Sequence, residues 1–235
     1  MMASLFSVLA GVLFASPRAE GAWGVAYPPA DVAAPHAAIV YLHGMWASPE
    51  DSCETFARAS TPFGFLVCPR GNAPLGEGRM WSGTYASVAP SVHVALRAAD
   101  SLAPGKLDQS RGGTLVGYSN GAYFAVQVAE FEPGKWSGLV LLSMRLDIDA
   151  ARLRRAGVRR VVFAAGNRDA ARASMRALAE KTNAAGLESR FMSLGRVGHE
   201  FPSDMSSRMC VAIAWARDSD PEACGMPAGG EWPAD

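Results

Sequence analysis

The chain has 235 residues, of which 49% are hydrophobic and 19% are charged. This length and composition suit one globular domain with a substantial core and leave little room for a second domain. Basic and acidic residues both number 22, so the formal net charge is zero. A neutral chain lacks the bulk positive field that recruits nucleic acid or an anionic membrane, and we expect neither as a partner.

The N-terminal segment differs in composition from the rest of the chain. An apolar run at residues 5–15 is followed by Pro17 and by the small-residue stretch 19–22. A membrane-spanning helix needs about 20 apolar residues, so this run is too short to span, but its length fits a secretory signal peptide. We expect residues 1–21 to be a signal peptide and 22–235 to be a secreted or periplasmic domain. Residues 1–4 contain no Lys or Arg, which leaves an uncleaved surface helix or a misassigned start as alternatives.

Four cysteines follow this segment and fall into two pairs that are local in sequence, Cys53 with Cys68 and Cys210 with Cys224. An exported chain can oxidise such pairs, and among the three possible connectivities we predict the two local disulfides. Four buried free thiols are the alternative for a cytoplasmic protein. The sequence has no Cys-x-x-Cys or His-x-x-x-His spacing, which argues against a zinc site.

Short apolar runs alternate with segments of helical length along the chain. The runs are β-branched or aromatic and are bounded by glycine, proline or charge, as buried strands are. In chain order the pattern predicts strand 37–42, helix 49–60, strand 63–67, helix 91–102, strand 113–116, helix 120–131, strands 139–142 and 158–164, helix 170–185, strand 189–194 and helix 203–217. From about residue 218 the chain is expected to be irregular. The alternation predicts an α/β fold with a mostly parallel central sheet and helices on both faces.

Such a sheet carries its functional loops at the carboxyl ends of its strands. Gly117-Tyr118-Ser119-Asn120-Gly121 lies between strand 113–116 and helix 120–131. Gly-x-Ser-x-Gly alone is a weak pattern, but between a strand and a helix it has the setting of a nucleophile elbow. The glycines let the helix and the strand approach without Cβ collisions. Ser119 is therefore the candidate nucleophile, and an ordinary N-capping serine is the alternative.

A serine hydroxyl needs a general base within hydrogen-bond reach, and the base needs a carboxylate that fixes its tautomer. Of the four histidines only His199 follows the last predicted strand, whereas His43 precedes the glycine of a candidate oxyanion loop. Asp169 follows strand 158–164 and is the preferred acid. Asp147, beyond strand 139–142, remains the rival. The order Ser119, Asp169, His199 is the order used by hydrolases with a nucleophile elbow.

Two main-chain N–H groups are expected to bind the developing oxyanion. Asn120 follows the nucleophile at a helix N-terminus, and Met45 follows His43-Gly44 at the end of strand 37–42. The long segment 69–90 is expected to be a loop that meets Trp46 over the serine and supplies the walls of the cleft. The candidate substrate-binding residues are Trp46, Arg79, Met80, Trp81 and Tyr118, with the aromatic groups suited to an acyl or aryl moiety and Arg79 suited to a carboxylate.

Four segments resemble those of the α/β-hydrolase superfamily, in particular its small, lidless esterases and dienelactone-hydrolase-like members. They are Leu42-His43-Gly44-Met45, Gly117-Tyr118-Ser119-Asn120-Gly121, Gly166-Asn167-Arg168-Asp169 and Gly198-His199. The resemblance spans most of residues 37–217. It implies an acyl-enzyme mechanism without a metal or an organic cofactor, in which Ser119 attacks an ester carbonyl and water releases the acid. Dienelactone hydrolases themselves use a cysteine nucleophile, which argues against dienelactone as the substrate.

The sequence also departs from the family pattern in residues 22–36, where the antiparallel strands that often precede the first parallel strand are not evident. The interval between strands 139–142 and 158–164 is too short for a helical cap, so we expect an open cleft for a small or extended ester. A peptidase, a thioesterase or an acyltransferase would use the same triad. A catalytically inactive binding module on this scaffold is a further alternative.

Overall fold

A computed structural model of the protein describes residues 19–145, 147–225 and 232. The strands are β1 (Ala19–Gly21), β2 (Gly24–Tyr27), β3 (Ala38–Leu42), β4 (Phe65–Pro69), β5 (Ala73–Leu75), β6 (Gly78–Met80), β7 (Gly113–Tyr118), β8 (Trp136–Leu142), β9 (Arg160–Ala165) and β10 (Glu188–Ser193). The helices are α1 (Pro49–Ser60), α2 (Tyr85–Asp100), α3 (Asn120–Phe131), α4 (Ala150–Arg155), α5 (Arg172–Ala184) and α6 (Met205–Ala216). Short 3₁₀ turns occupy Gln109–Arg111 and Pro221–Cys224.

Eight strands form one sheet in the order β1-β2-β4-β3-β7-β8-β9-β10. The pairs from β4 to β10 are parallel, whereas β1 and β2 are antiparallel to their neighbours. Helices α1 and α6 pack on one face of the sheet, and α2 to α5 pack on the other. The predicted α/β fold, with a mostly parallel sheet and helices on both faces, is confirmed.

Strand β3 shows why the apolar runs were readable as buried strands. All five of its residues are buried, with Val40 and Leu42 in the core on one face and Ile39 and Tyr41 in the core on the other. Successive side chains of a strand point to opposite faces, so a strand covered on both sides is apolar throughout.

Two antiparallel strands precede β3, although they were not evident in the sequence of residues 22–36. Strand β2 pairs antiparallel with β4, and residues 19–21 of the expected signal segment form β1 against β2. Gly24 opens β2 with a φ of 135°, and a Cβ there would lie 2.1 Å from the carbonyl oxygen of Cys68. A strand this short depends on its neighbour, so its own residues carry little signal. The rest of the expected signal peptide, residues 1–18, lies outside the described residues.

The expectation of a long loop at residues 69–90 is wrong. Strands β5 and β6 form a two-stranded hairpin within it, and α2 begins at Tyr85 instead of residue 91. Pro90 lies within this helix. A proline lacks the N–H that an interior helical residue donates, so it normally counts against a helix that continues through it. The remaining predicted elements agree with the structure to within a few residues.

Both predicted disulfides are present. Cys53 and Cys68 join α1 to β4, and Cys210 and Cys224 join α6 to the turn at Pro221–Cys224. Between β8 and β9, the described residues contain a single short helix, α4, which agrees with the absence of a large cap domain. Among the residues described, no helix has the length and apolar character needed to cross a membrane.

Candidate active site

Ser119 occupies a sharp turn between β7 and α3. Its φ of 51° and ψ of −120° are unusual for a residue with a side chain, and its N–H donates to the Leu142 carbonyl at 2.9 Å. The glycines on either side are required by packing. A Cβ on Gly117 would lie 2.5 Å from the Ala122 Cα, and one on Gly121 would lie 2.0 Å from the Leu42 carbonyl oxygen. The turn thus has the strained geometry of a nucleophile elbow.

The structure brings Ser119, His199 and Asp169 together at the carboxyl edge of the sheet. His199 Nε2 lies 3.0 Å from Ser119 Oγ, and His199 Nδ1 lies 3.1 Å from Asp169 Oδ2. With its proton on Nδ1, the imidazole donates to the carboxylate and accepts from the serine hydroxyl. This is the geometry in which a histidine can remove the serine proton.

Asp169 is the buried member of this group, with a side chain only 3% exposed. Burial raises the pKa of its carboxyl, but the Ala171 N–H, Ser143 and His199 outweigh that effect, so the pKa is lowered overall. The Ala171 N–H donates to Oδ1 at 2.8 Å, leaving Oδ2 for the imidazole. The rival Asp147 is 95% exposed and lies 3.6 Å from Lys181 Nζ, so the structure does not place it in this group.

The loop after β3 passes directly beside Ser119. A Cβ on Gly44 would lie 3.5 Å from the Ser119 Cβ and 2.9 Å from the Tyr118 ring. Met45 follows in this loop, and Asn120 is the first residue of α3. The two expected oxyanion donors therefore belong to two different segments, the loop after β3 and the start of α3, and their role stays a prediction.

The buried side chains of His43 and Trp81 make hydrogen bonds to the main chain of this loop and its neighbours. His43 is fully buried, its Nδ1 donates to the Gly44 carbonyl at 2.7 Å, and its Nε2 accepts from the Gly71 N–H at 3.0 Å. Burial lowers its pKa, so it is a neutral structural histidine. Trp81 is also fully buried, and its indole N–H donates to the His43 carbonyl at 3.0 Å. Its main-chain N–H donates to Asn120 Oδ1 at 2.8 Å, which ties the hairpin to the start of α3.

Trp81 was predicted to line the substrate cleft, but its ring has no exposed surface in this structure. The expected carboxylate receptor, Arg79, instead donates from Nε to the Gly71 carbonyl at 2.7 Å and lines a cavity of about 300 Å³ with Trp23 and Arg70. Trp46 is 67% exposed next to the loop that carries Met45.

Two further residues predicted to bind substrate are less exposed. Met80 is half-buried at the end of β6. The hydroxyl of Tyr118 donates a hydrogen bond to the His199 carbonyl at 2.8 Å. Sequence reasoning missed the support that Trp81 and Tyr118 give to the loops around Ser119, and it did not single out Phe201, which packs on Tyr118 with ring centroids 4.6 Å apart. The sequence shows that all three residues are aromatic. It does not show that Trp81 is buried, or that Tyr118 and Phe201 contact each other.

No protein-family model matches the chain, and no curated protein matches it. Solved structures do match. The fluorophosphonate-binding serine hydrolase F of Staphylococcus aureus, solved with substrate bound, aligns with a TM-score of 0.61 at 13% identity over 86% of this chain and 96% of that one. An S-formylglutathione hydrolase from Agrobacterium tumefaciens aligns with a TM-score of 0.60 at 16% identity over 83% and 88%. The esterase PE8 aligns with a TM-score of 0.59 at 21% identity over 83% and 97%. The chain has the α/β-hydrolase fold.

Proposed function

We propose that this protein is a serine hydrolase that cleaves carboxylic esters through an acyl-enzyme intermediate. The observation that carries the proposal is the continuous hydrogen-bonded series from Ser119 Oγ through His199 to the buried Asp169 carboxylate. The three solved structures with the same fold are named as a serine hydrolase, an S-formylglutathione hydrolase and an esterase, and these names support hydrolase chemistry here.

In the proposed reaction, Ser119 Oγ attacks the ester carbonyl carbon while its proton passes to His199 Nε2. Asp169 stabilises the imidazolium that forms, and the main-chain N–H groups of Met45 and Asn120 bind the oxyanion. The tetrahedral intermediate then collapses, and His199 returns the proton to the leaving alcohol. A water molecule, deprotonated by His199, attacks the acyl-enzyme, and the acid leaves as Ser119 regains its proton.

The surroundings of Ser119 favour a substrate that reaches an open cleft. Only α4 separates β8 from β9 in the described residues, so no cap covers the site from that side. Met45 is 39% exposed and Trp46 is 67% exposed in the loop that follows Gly44, and they offer an apolar surface to an acyl or aryl group. We propose that Trp46 and Met45 contact the acyl or aryl part of a small or extended ester.

We also propose that the protein acts outside the cytoplasm. Both pairs of cysteines are joined as disulfides, which persist in oxidising compartments. A protein in which all four cysteines stay reduced after isolation from its native compartment under thiol-blocking conditions would contradict this proposal.

Labelling with a fluorophosphonate probe tests the proposed chemistry directly. We expect stoichiometric modification of the wild-type protein at Ser119 and none of the Ser119→Ala variant. Activity is then measured on p-nitrophenyl esters, thioesters and peptide amides, with esters expected to have the highest kcat/KM. A folded wild-type protein that the probe does not modify would overturn the assignment, and a preference for amides or thioesters would keep the mechanism but change the substrate class.

A further inference from the structure

The part of the loop that carries His199 makes few hydrogen bonds to the rest of the described structure. The imidazole is 52% exposed, and residues 194–204 between β10 and α6 form no helix or strand. Upstream of His199 the loop is bonded to the acid's loop, because the Arg168 N–H donates to the Val197 carbonyl at 3.0 Å. Within residues 198–201, the main chain receives one hydrogen bond from another described element. The Tyr118 hydroxyl donates it to the His199 carbonyl at 2.8 Å.

Tyr118 also touches the His199 side chain and the loop beyond it. Its ring lies over the imidazole, with centroids 5.2 Å apart and planes tilted by 32°. Its other neighbour is Phe201, whose centroid is 4.6 Å away, and Phe201 in turn meets Phe56 of α1 edge-on at 5.5 Å. Tyr118 is therefore the outer member of an aromatic column that reaches into the core on the face of α1 and α6.

The same ring lies close to the loop after β3. Gly44 has no room for a Cβ because the Tyr118 ring would lie 2.9 Å from it. One side chain thus contacts the loop of Met45 and the loop of His199, and its own main chain directly precedes Ser119.

We propose that Tyr118 is a positioning residue that holds His199 within reach of Ser119, and that it does not bind substrate through its hydroxyl. The inference rests on the proposed function. The hydroxyl holds the His199 main chain in position through its hydrogen bond to the carbonyl, and the ring limits rotation of the imidazole. A base that moves by about 1 Å can lose about 100-fold in rate, so a single hydrogen bond to its own carbonyl can matter for turnover.

The chemistry of the hydroxyl suits this role. Burial, together with the nearby Asp169 and Glu200 carboxylates, raises the pKa of Tyr118 to about 12. The phenol therefore stays protonated and keeps donating to the His199 carbonyl over the whole range in which a serine hydrolase works.

The test compares Tyr118→Phe, which keeps the ring and loses the hydrogen bond, with Tyr118→Leu, which loses both. Tyr85→Phe is the matched control, because the Tyr85 hydroxyl also makes one hydrogen bond, 3.0 Å to Glu132 at the C-terminal cap of α3, away from the triad. Thermal unfolding and circular dichroism establish that each variant is folded. The kinetic readouts are the rate of fluorophosphonate labelling and the kcat and KM for p-nitrophenyl acetate.

For Tyr118→Phe we expect kcat and the labelling rate to fall about 3- to 10-fold, the range of one net hydrogen bond, with KM changed less than about twofold. Tyr118→Leu should lose about a further 3- to 10-fold, since a ring contact of this kind is worth a similar amount. Tyr85→Phe should keep the wild-type kcat. The downfield proton resonance of the His199 Nδ1–H should broaden in both Tyr118 variants and stay sharp in the control, which a purely structural loss of stability would not produce.

A wild-type kcat in folded Tyr118→Phe, or a raised KM at constant kcat, would overturn the positioning role. These outcomes differ from failure of the proposed function, in which the wild-type protein itself is neither labelled nor active. The proton resonance decides the positioning role even in that case, because it reports on His199 without turnover. An unchanged resonance in both variants would refute it.

Discussion

Replacing Trp81 by phenylalanine tests whether this residue supports the loop after β3 or lines the proposed cleft. The indole N–H is the donor to the His43 carbonyl, and both groups are fully buried. Phenylalanine keeps an aromatic ring but cannot donate, so the carbonyl is left without that partner in a place that water does not reach. We therefore expect the variant to lose stability and to bind substrate normally.

The magnitude follows from two losses. A buried polar group left without a partner costs about 1–3 kcal/mol. The smaller ring also leaves a void, which costs about 1 kcal/mol for a space the size of a methyl group. The free energy of unfolding should thus fall by about 2–4 kcal/mol, which is a large part of the total for an ordinary domain.

Urea unfolding followed by circular dichroism measures this change, with an unaltered slope indicating that the unfolded state is the same. If the proposed function is right, kcat for p-nitrophenyl acetate should also fall, because the Trp81 side chain holds the carbonyl of His43, two residues before Met45. KM should stay within about twofold, since a ring with no exposed surface cannot contact the substrate.

Trp46→Phe is the matched control, because the same substitution is made at a side chain that is 67% exposed. Its unfolding free energy should stay within about 0.5 kcal/mol of the wild type, while KM for aryl esters rises. A raised KM and unchanged stability in Trp81→Phe would refute the reasoning, because that result belongs to a residue that lines the cleft.

Three further outcomes are expected. Asp169→Asn should lower kcat by about 10³- to 10⁴-fold because the imidazole loses the partner that fixes its tautomer, whereas Asp147→Asn should leave kcat unchanged, and the reverse pattern would assign the acid to Asp147. Because folding lowers the pKa of Asp169, its carboxylate stabilises the folded chain above the ordinary value of 3.8, and the difference in unfolding free energy between wild type and Asp169→Asn should shrink as pH falls below that value. Replacing Cys53 and Cys68 together by alanine should cost about 3 kcal/mol in urea unfolding, and an unchanged midpoint would contradict a stabilising disulfide.

The core of the fold could be predicted because its signals are local. A strand buried on both faces, such as β3, is apolar at every position, and a Gly-x-Ser-x-Gly between such a strand and a helix has one common geometry. The three residues that the structure brings together were found by the same reasoning, since the carboxyl ends of parallel strands meet at one edge of the sheet.

The features that could not be predicted depend on partners that are distant in sequence. Strand β2 is four residues long and is held by β4, which lies about 40 residues further along the chain. The β5–β6 hairpin has three-residue strands that include Pro74, and proline normally counts against a strand. Trp81 looks the same in sequence whether its indole faces solvent or, as here, the carbonyl of His43.

The last strand, β10, ends the sheet with a side that no further strand covers. Trp232 meets that side, because its indole N–H donates to the Phe191 carbonyl at 2.7 Å and its ring packs against Trp215 at 5.6 Å. At the opposite end of the sheet, the described part of β1 spans Ala19–Gly21. An open strand edge is a template on which a second chain can add a strand, so proteins shorten or cover such edges. In the part of the chain described here, Trp232 covers part of the β10 edge, which disfavours edge-to-edge aggregation at that end of the sheet when many copies are concentrated together.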